Sequence, residues 1–185
     1  MIRSTTAALA LALAAGCASN GLQTAENGPY APGVDLRADA VDGVEVAHRL
    51  MAAGEYELAM DAFTRAALDN GATPEILSGL GSANLGLGRL GQAEDLLRQA
   101  VEAAPESASA WNNLGVVLME RDKTAEAEQI FRKAYALDNG ESDSIRDNLR
   151  LTLAKLENPD NTGGQHQEYK LVQRGGSDFL IRENQ

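Results

Sequence analysis

One cysteine, Cys17, and two histidines, His48 and His166, are spread over 185 residues. A lone cysteine cannot form an intramolecular disulfide, so no disulfide framework holds this chain together. So few cysteines and histidines also argue against the usual Cys/His metal sites, and neither a metal nor a cofactor is expected. Aromatic residues number eight (one Trp, four Tyr, three Phe), so a core must be built mainly from alanine and aliphatic side chains. Basic residues are in deficit: 16 Lys and Arg stand against 27 Asp and Glu, a formal charge of −11 with a pI near 4.6. Nucleic-acid binding needs a basic surface to neutralise phosphates, and that class of partner is excluded. No apolar run reaches the roughly 20 residues of a membrane-spanning helix. What is present is 44 % apolar content, in a length that suits one domain with short appendages.

The acidic excess lies in the middle. Residues 40–157 carry −9 of the −11, so a fold with a solvated surface is expected there. Residues 1–16 are different: Arg3 precedes an unbroken Ala/Leu run from Ala7 to Ala15, closed by Gly16. One positive charge, a short apolar stretch and small residues make the layout of a secretory signal. The run Leu13-Ala14-Ala15-Gly16-Cys17 resembles the lipobox of bacterial lipoproteins, with Ala14 standing where leucine is usual. That resemblance implies diacylation of the Cys17 thiol and cleavage before it, and two or more acyl chains hold a protein stably on a bilayer. Ala18-Ser19 lack the aspartate of inner-membrane retention, which implies the periplasmic face of the outer membrane. Residues 17–39, with Gly21, Gly28, Pro29, Pro32 and Gly33, read as a flexible tether spanning roughly 25 Å.

Residues 40–157 repeat themselves every 34 positions. Ala59, Ala93 and Ala127 form one column, Ala66, Ala100 and Ala134 another, and Phe63, Leu97 and Phe131 a third. Ala47, Gly81 and Gly115 keep the same interval, as do Val46, Leu80 and Leu114, and Gly54, Gly88 and Asp122. Within each unit, apolar residues at spacings of three and four predict two amphipathic helices around a short turn. Small residues are expected where paired helices come closest, and Thr73-Pro74-Glu75 reads as a helix start. The pattern Trp111, Leu114, Gly115, Ala127, Phe131, Ala134 resembles the tetratricopeptide repeat. The second unit matches through Leu80, Gly81, Ala93, Leu97, Ala100 and Pro105, and the first through Tyr56, Ala59, Phe63 and Ala66. The implied fold is all-α, a right-handed solenoid of about three such repeats. A helix near Ser144–Leu156, with an apolar stripe of Ile145, Leu149, Leu153 and Leu156, is expected to cap it. Asn148-Leu149 echo Asn113-Leu114 at a spacing of 35, one residue out of register. The tail, 158–185, opens with breakers and then offers Tyr169–Arg174 and Phe179–Arg182 around Gly175-Gly176. It is either a frayed end or a small β-hairpin that packs on the cap or on a partner.

Catalytic patterns are missing. Gly86-x-Gly88-x-x-Gly91 matches a dinucleotide fingerprint in letters, yet it lies between two predicted helices, where turn glycines explain it. No nucleophile elbow, Walker loop or His-Glu-x-x-His occurs, and acids such as Glu126 and Glu128 are expected on the solvated side of a helix. An enzyme with a small-molecule substrate is not expected. In the fold implied, the first helices line a concave face, and counting along them gives Val41, Val44, His48 and Met51, then Glu75, Ser78, Ser82 and Leu85, then Ser109, Asn112, Val116 and Met119. The expected partner-binding groove is therefore Val44, His48, Met51, Ser82, Leu85, Asn112, Val116 and Met119, with Val116 and Met119 open to solvent. No Lys or Arg stands there, which disfavours a terminal-carboxylate ligand and suits an apolar or helical peptide.

The signal with Cys17, the array, and the cap Arg146-Asp-Asn-Leu-Arg-Leu-Thr-Leu-Ala154 together resemble the tight adherence (Flp) pilus assembly protein D family, of pilotin type. That resemblance implies a lipid-anchored outer-membrane scaffold whose protein partner is a secretin or another pilus component. An envelope adaptor that scaffolds peptidoglycan hydrolases or a protease shares the same lipid, tether and groove. A self-assembling module with no outside ligand is a third possibility.

Overall fold

The computed structural model describes residues 42–157, 169–174 and 178–183. The expected signal segment 1–16, Cys17 and the expected tether to residue 39, Val41, His166, the breakers after Glu157 and residues 175–177 lie outside the described residues. Among the described residues seven helices follow one another: α1 (Gly43–Ala52), α2 (Tyr56–Asn70), α3 (Pro74–Gly86), α4 (Leu90–Ala103), α5 (Ala108–Glu120), α6 (Thr124–Leu137) and α7 (Asp143–Glu157). Two strands, β1 (Tyr169–Arg174) and β2 (Asp178–Glu183), close the chain as an antiparallel pair with Leu171 opposite Ile181. The helices pair as α1/α2, α3/α4 and α5/α6, each pair stacks on the next, and α7 covers the last. This is the expected all-α solenoid of three two-helix units and a capping helix.

The starts of the first helices are set by side chains. Asp42 accepts a bond from the Val44 amide (2.9 Å), Thr73 from Ile76 (3.3 Å) and Ser107 from Ala110 (3.3 Å). Each satisfies an amide that the first helical turn leaves without a partner. The turns inside each unit repeat just as closely. Glu55, Arg89 and Lys123 donate from their backbone nitrogens to Leu50, Asn84 and Leu118, while Gly54, Gly88 and Asp122 donate to Met51, Leu85 and Met119. That is a Schellman closure, which needs one left-handed residue. Gly54 (φ 76°), Gly88 (φ 69°) and Asp122 (φ 56°) supply it. The 34-residue glycine column is thus a backbone requirement, and Gly88 belongs to a turn, not to a phosphate cradle.

Packing explains the small-residue column. A Cβ on Gly81 would stand 2.6 Å from Leu97 Cγ, and one on Gly115 would stand 2.6 Å from Phe131 Cε1. Leu97 and Phe131 therefore sit on the glycine of their own unit, whereas Phe63 reaches forward onto Gly79 of the next, 2.3 Å from where its Cβ would be. All three large side chains are fully buried, as are Ala59, Ala93, Ala100, Ala127 and Ala134. Each contributes through area removed from water, roughly 1.5–3 kcal/mol for a large apolar side chain.

Two expectations about polar and apolar faces are corrected. Glu128, expected on the solvated side, is buried, held by Arg132 Nε and by Gln129 Nε2 (2.7 Å). On α7 the buried face is Ser144, Ile145, Asn148 and Thr152, while Leu149 and Leu153 are half-buried and Leu156 is exposed. A second layer, the hairpin, covers the Asn148 side of this helix, so the helix buries more than one stripe.

An ion network ties the second unit to the third. The buried carboxylate of Glu94 accepts from Lys123 Nζ (2.9 Å), Arg121 Nη1 (2.5 Å) and Arg98 Nη2 (2.7 Å), and Arg98 also donates to Glu126 (2.5 Å). Burial alone pushes the Glu94 carboxyl up, but the bonds from Lys123 and Arg98 outweigh it and hold the group below the ordinary glutamate range. A carboxylate depressed in the folded state stabilises the fold above its unfolded value, about 4.3, and that stabilisation is lost as pH falls through the folded value. Glu120 has the opposite sign: burial raises its carboxyl, so its cost at neutral pH is relieved by acid. Urea titrations of the native chain and Glu94→Gln at pH 7 and pH 3 check this. The stability gap between the two proteins should be wider at pH 7 than at pH 3, and a gap that does not change with pH would remove the role assigned to Glu94.

A concave face half filled by the C-terminal strand

The eight expected groove residues divide into two sets. Val44 and His48 are half-buried and border open space. Met51, Ser82, Leu85, Asn112, Val116 and Met119 are all buried, with Val116 at 0 % and Met119 at 5 % exposure. The expectation that Val116 and Met119 stand open to solvent is therefore corrected. The first helices touch one another, α1 with α3, α3 with α5 and α5 with α7, which narrows the concave strip. Met51, Leu85, Val116 and Met119 join the common hydrophobic core.

The strip then meets strand β2. Phe179, Leu180 and Ile181 are buried, at 1 %, 3 % and 5 % exposure, and β2 packs against α5 and α7. Of the two readings of the tail, frayed end or small hairpin, the described strands β1 and β2 form an antiparallel pair, and β2 lies against the concave face together with the cap. Three asparagines make the contact. Asn113 Oδ1 accepts from the Phe179 amide (3.2 Å), and Phe179 O accepts from Asn112 Nδ2 (3.0 Å) and Asn148 Nδ2 (2.9 Å). Asn148 Oδ1 accepts from the Ile181 amide (3.0 Å). The same three side chains bond each other and Ser82: Asn148 Nδ2 donates to Asn112 Oδ1 (2.9 Å), Asn112 Nδ2 to Asn113 Oδ1 (3.2 Å), and Asn113 Nδ2 to Ser82 Oγ (2.9 Å). Ser82 and all three asparagines have no exposed surface. At the strand's start, the Ser109 hydroxyl donates to the Asp178 carboxylate.

The bonds from the asparagines to β2 go to main-chain atoms. A strand edge presents alternating N–H and C=O groups, and the asparagine amides, each donor and acceptor at once, complete that edge as a neighbouring strand would. Asn112, Asn113 and Asn148 bind the β2 backbone, and of these the groove expected from sequence included only Asn112. The available signal was the pair Asn112-Asn113 on a first helix and its echo at Asn148.

The other half of the concave face is open. A cavity of about 350 Å³ is lined by His48, Pro74, Glu75, Ser78 and Ser109, among others. His48 Nε2 lies 3.0 Å from Glu75 Oε1, and its ring meets Phe63 edge-on at 5.2 Å. The histidine links the first unit to the second and packs on its core. Among the described residues no group of three His, Cys, Asp or Glu is placed to hold a metal ion.

The tetratricopeptide repeat profile matches residues 47–105 and, overlapping, 78–142. Among solved structures, the Sgt2 tetratricopeptide domain of Aspergillus fumigatus is similar at 23 % identity and a TM-score of 0.61, covering 78 % of this chain and 98 % of that one. The first such domain of human RPAP3 is similar at 20 % identity and a TM-score of 0.59, covering 65 % and 94 %. Its second domain, in complex with an HSP70 peptide, is similar at 22 % identity and a TM-score of 0.55, covering 62 % and 94 %. No curated protein matches. Turn, core and profile agree over more than half of the chain: it belongs to the tetratricopeptide repeat family.

Proposed function

We propose that the chain is a non-enzymatic, lipid-anchored scaffold of the bacterial envelope. It sits on the periplasmic face of the outer membrane through Cys17 and takes part in pilus or secretion-system assembly as a pilotin does, with a secretin or another pilus component as its protein partner. Arrays of this family are protein-interaction scaffolds, and the observation that carries the reading is the concave face, whose asparagines grip an extended segment by its backbone. The export signal and the lone Cys17 support the anchor, and the cap sequence Arg146–Ala154 supports the pilus system. Two structural neighbours hold chaperone peptides: the second domain of human RPAP3 an HSP70 peptide, and the first domain of Spaghetti (RPAP3) an HSP90 peptide of sequence SRMEEVD. Here Glu75 and Asp178 stand along the groove and none of the concave positions is Lys or Arg, so an acidic tail of that kind is disfavoured and an apolar segment is favoured.

The test replaces the gene with wild type or Cys17→Ser in a host that makes tight-adherence pili. A fatty-acid probe should label the wild type and not the variant. The variant should leave the membrane while remaining folded, and both surface pili and correctly placed secretin should be lost. An unlabelled wild type would remove the anchor. Intact pili with altered cell shape after deletion of the gene would replace this reading by the adaptor of cell-wall hydrolases or a protease.

A further inference from the structure

We infer that the groove's external ligand is an extended apolar strand, bound in the place of β2, and that β2 is an internal stand-in for it. The inference rests on the concave face being the partner site.

A permanent core seam and a site that empties ask for different linings. The seams between repeats are made of alanine, phenylalanine and leucine, with Ala59, Phe63, Ala93, Leu97, Ala127 and Phe131 all at 0 % exposure. The seam with β2 is mixed: Phe179 and Ile181 join the common hydrophobic core, while the strand's backbone meets the amides of Asn112, Asn113 and Asn148, which are equally buried. An apolar seam left open exposes hydrocarbon to water, which is unfavourable. An amide-lined seam left open is hydrated, so each asparagine exchanges a strand's N–H or C=O for water and no polar group is stranded. The amide part of this lining suits alternate occupancy, and Phe179 and Ile181 are the apolar anchors that an incoming strand has to replace. The strand that fills it also belongs to a two-stranded hairpin, which is marginal by itself.

Recognition through main-chain atoms accepts any extended segment in register, and the side chains then select. Asp178 meets Ser109, while Phe179, Leu180 and Ile181 are buried, so the accepted motif is acid, aromatic, aliphatic, aliphatic. An external strand has one advantage over β2. Ser109, which meets the first residue of β2, also lines the open cavity shared with Ser78, Glu75 and His48. A strand that does not turn back there continues into that cavity, adding contacts that a hairpin cannot make.

The probe is a labelled peptide of residues 176–185, whose sequence is Gly-Ser-Asp-Phe-Leu-Ile-Arg-Glu-Asn-Gln, titrated into full-length protein by fluorescence anisotropy. Phe179→Asp in the protein should expel β2 and expose the groove. Occupancy by an internal competitor weakens apparent affinity by the fraction of molecules that are open. The wild type should therefore bind the peptide at least about tenfold more weakly than Phe179→Asp. Adding Asn148→Ala to that variant should remove most of the binding while its helical circular dichroism is unchanged. Equal binding by wild type and Phe179→Asp would overturn the inference, as would indifference to Asn148→Ala. Loss of helicity in Phe179→Asp would make the hairpin a fixed part of the core and overturn it too. A wild-type dimer formed by exchanged hairpins would make the occupant a second copy and refute an external partner. None of these failures touches the anchor or the pilus phenotype, which the Cys17 experiment reads separately.

Discussion

Phe131→Ala should destabilise the array by about 3–5 kcal/mol, and Gly115→Ala, which adds a single methyl group, should destabilise it as well. Phe131 is fully buried, and removing its ring leaves a cavity that the helices close only in part. A methyl on Gly115 would lie 2.6 Å from Phe131 Cε1 and 2.8 Å from Cδ1. Overpacking of this kind costs about 1–3 kcal/mol, against a gain of about 1 kcal/mol for alanine over glycine inside a helix. The two changes should not add. Once the ring is gone, the same methyl enters the space it left, so Gly115→Ala should turn stabilising in the Phe131→Ala background. Urea titration of the four proteins gives the coupling, expected at about 0.5–3 kcal/mol for residues in contact. Simple additivity would mean that the ring does not rest on the glycine.

The second large effect is at the centre of the concave face. Val116→Asp combined with Met119→Asp should cost more than about 4 kcal/mol and unfold at least the third unit, because two carboxylates would be placed without cationic partners in a dry site. Both side chains belong to the buried core. Val44→Asp, at a half-buried position beside the open cleft, should cost far less. Thermal melts by circular dichroism separate the two cases, and a double variant that melts like wild type would show that face to be open.

This effect reverses the expectation from sequence, and the reason is physical. A 34-residue period reports which side chains repeat, so it located the helices, the turns and the small-against-large contact of Gly115 with Phe131. It does not report how closely successive first helices approach, which is what buries Met51, Leu85, Val116 and Met119. The asparagine seam was hidden for a different reason. Asn112, Asn113 and Asn148 bond Phe179 and Ile181 across 31 to 67 positions of chain, and a polar residue on a helix reads by pattern as a solvated one. Only their number on faces that are otherwise apolar hinted at a polar partner. The offset of 35 at Asn148 was visible, but its use was not: it places a third amide beside the first two. The left-handed turns were legible as glycines, except at Asp122, where the non-glycine residue adopts the same backbone.

The Glu94 network has a consequence for how the array comes apart. At the joint between the second and third units, one carboxylate gathers three cations, and Arg98 reaches a second acid across the joint. The same column in the first unit holds Met60, whose sulfur meets Asn84 at 3.8 Å and Arg89 at 3.7 Å, with an exposed Arg89–Glu57 pair at 3.6 Å alongside. In a stack whose cooperativity comes from nearest-neighbour interfaces, unequal joints give unequal melting. If the ions decide, the first joint should open before the second, α1 and α2 losing hydrogen-exchange protection while the second and third units still protect each other; equal protection would mean that Phe63, buried on Gly79, holds the first joint as firmly.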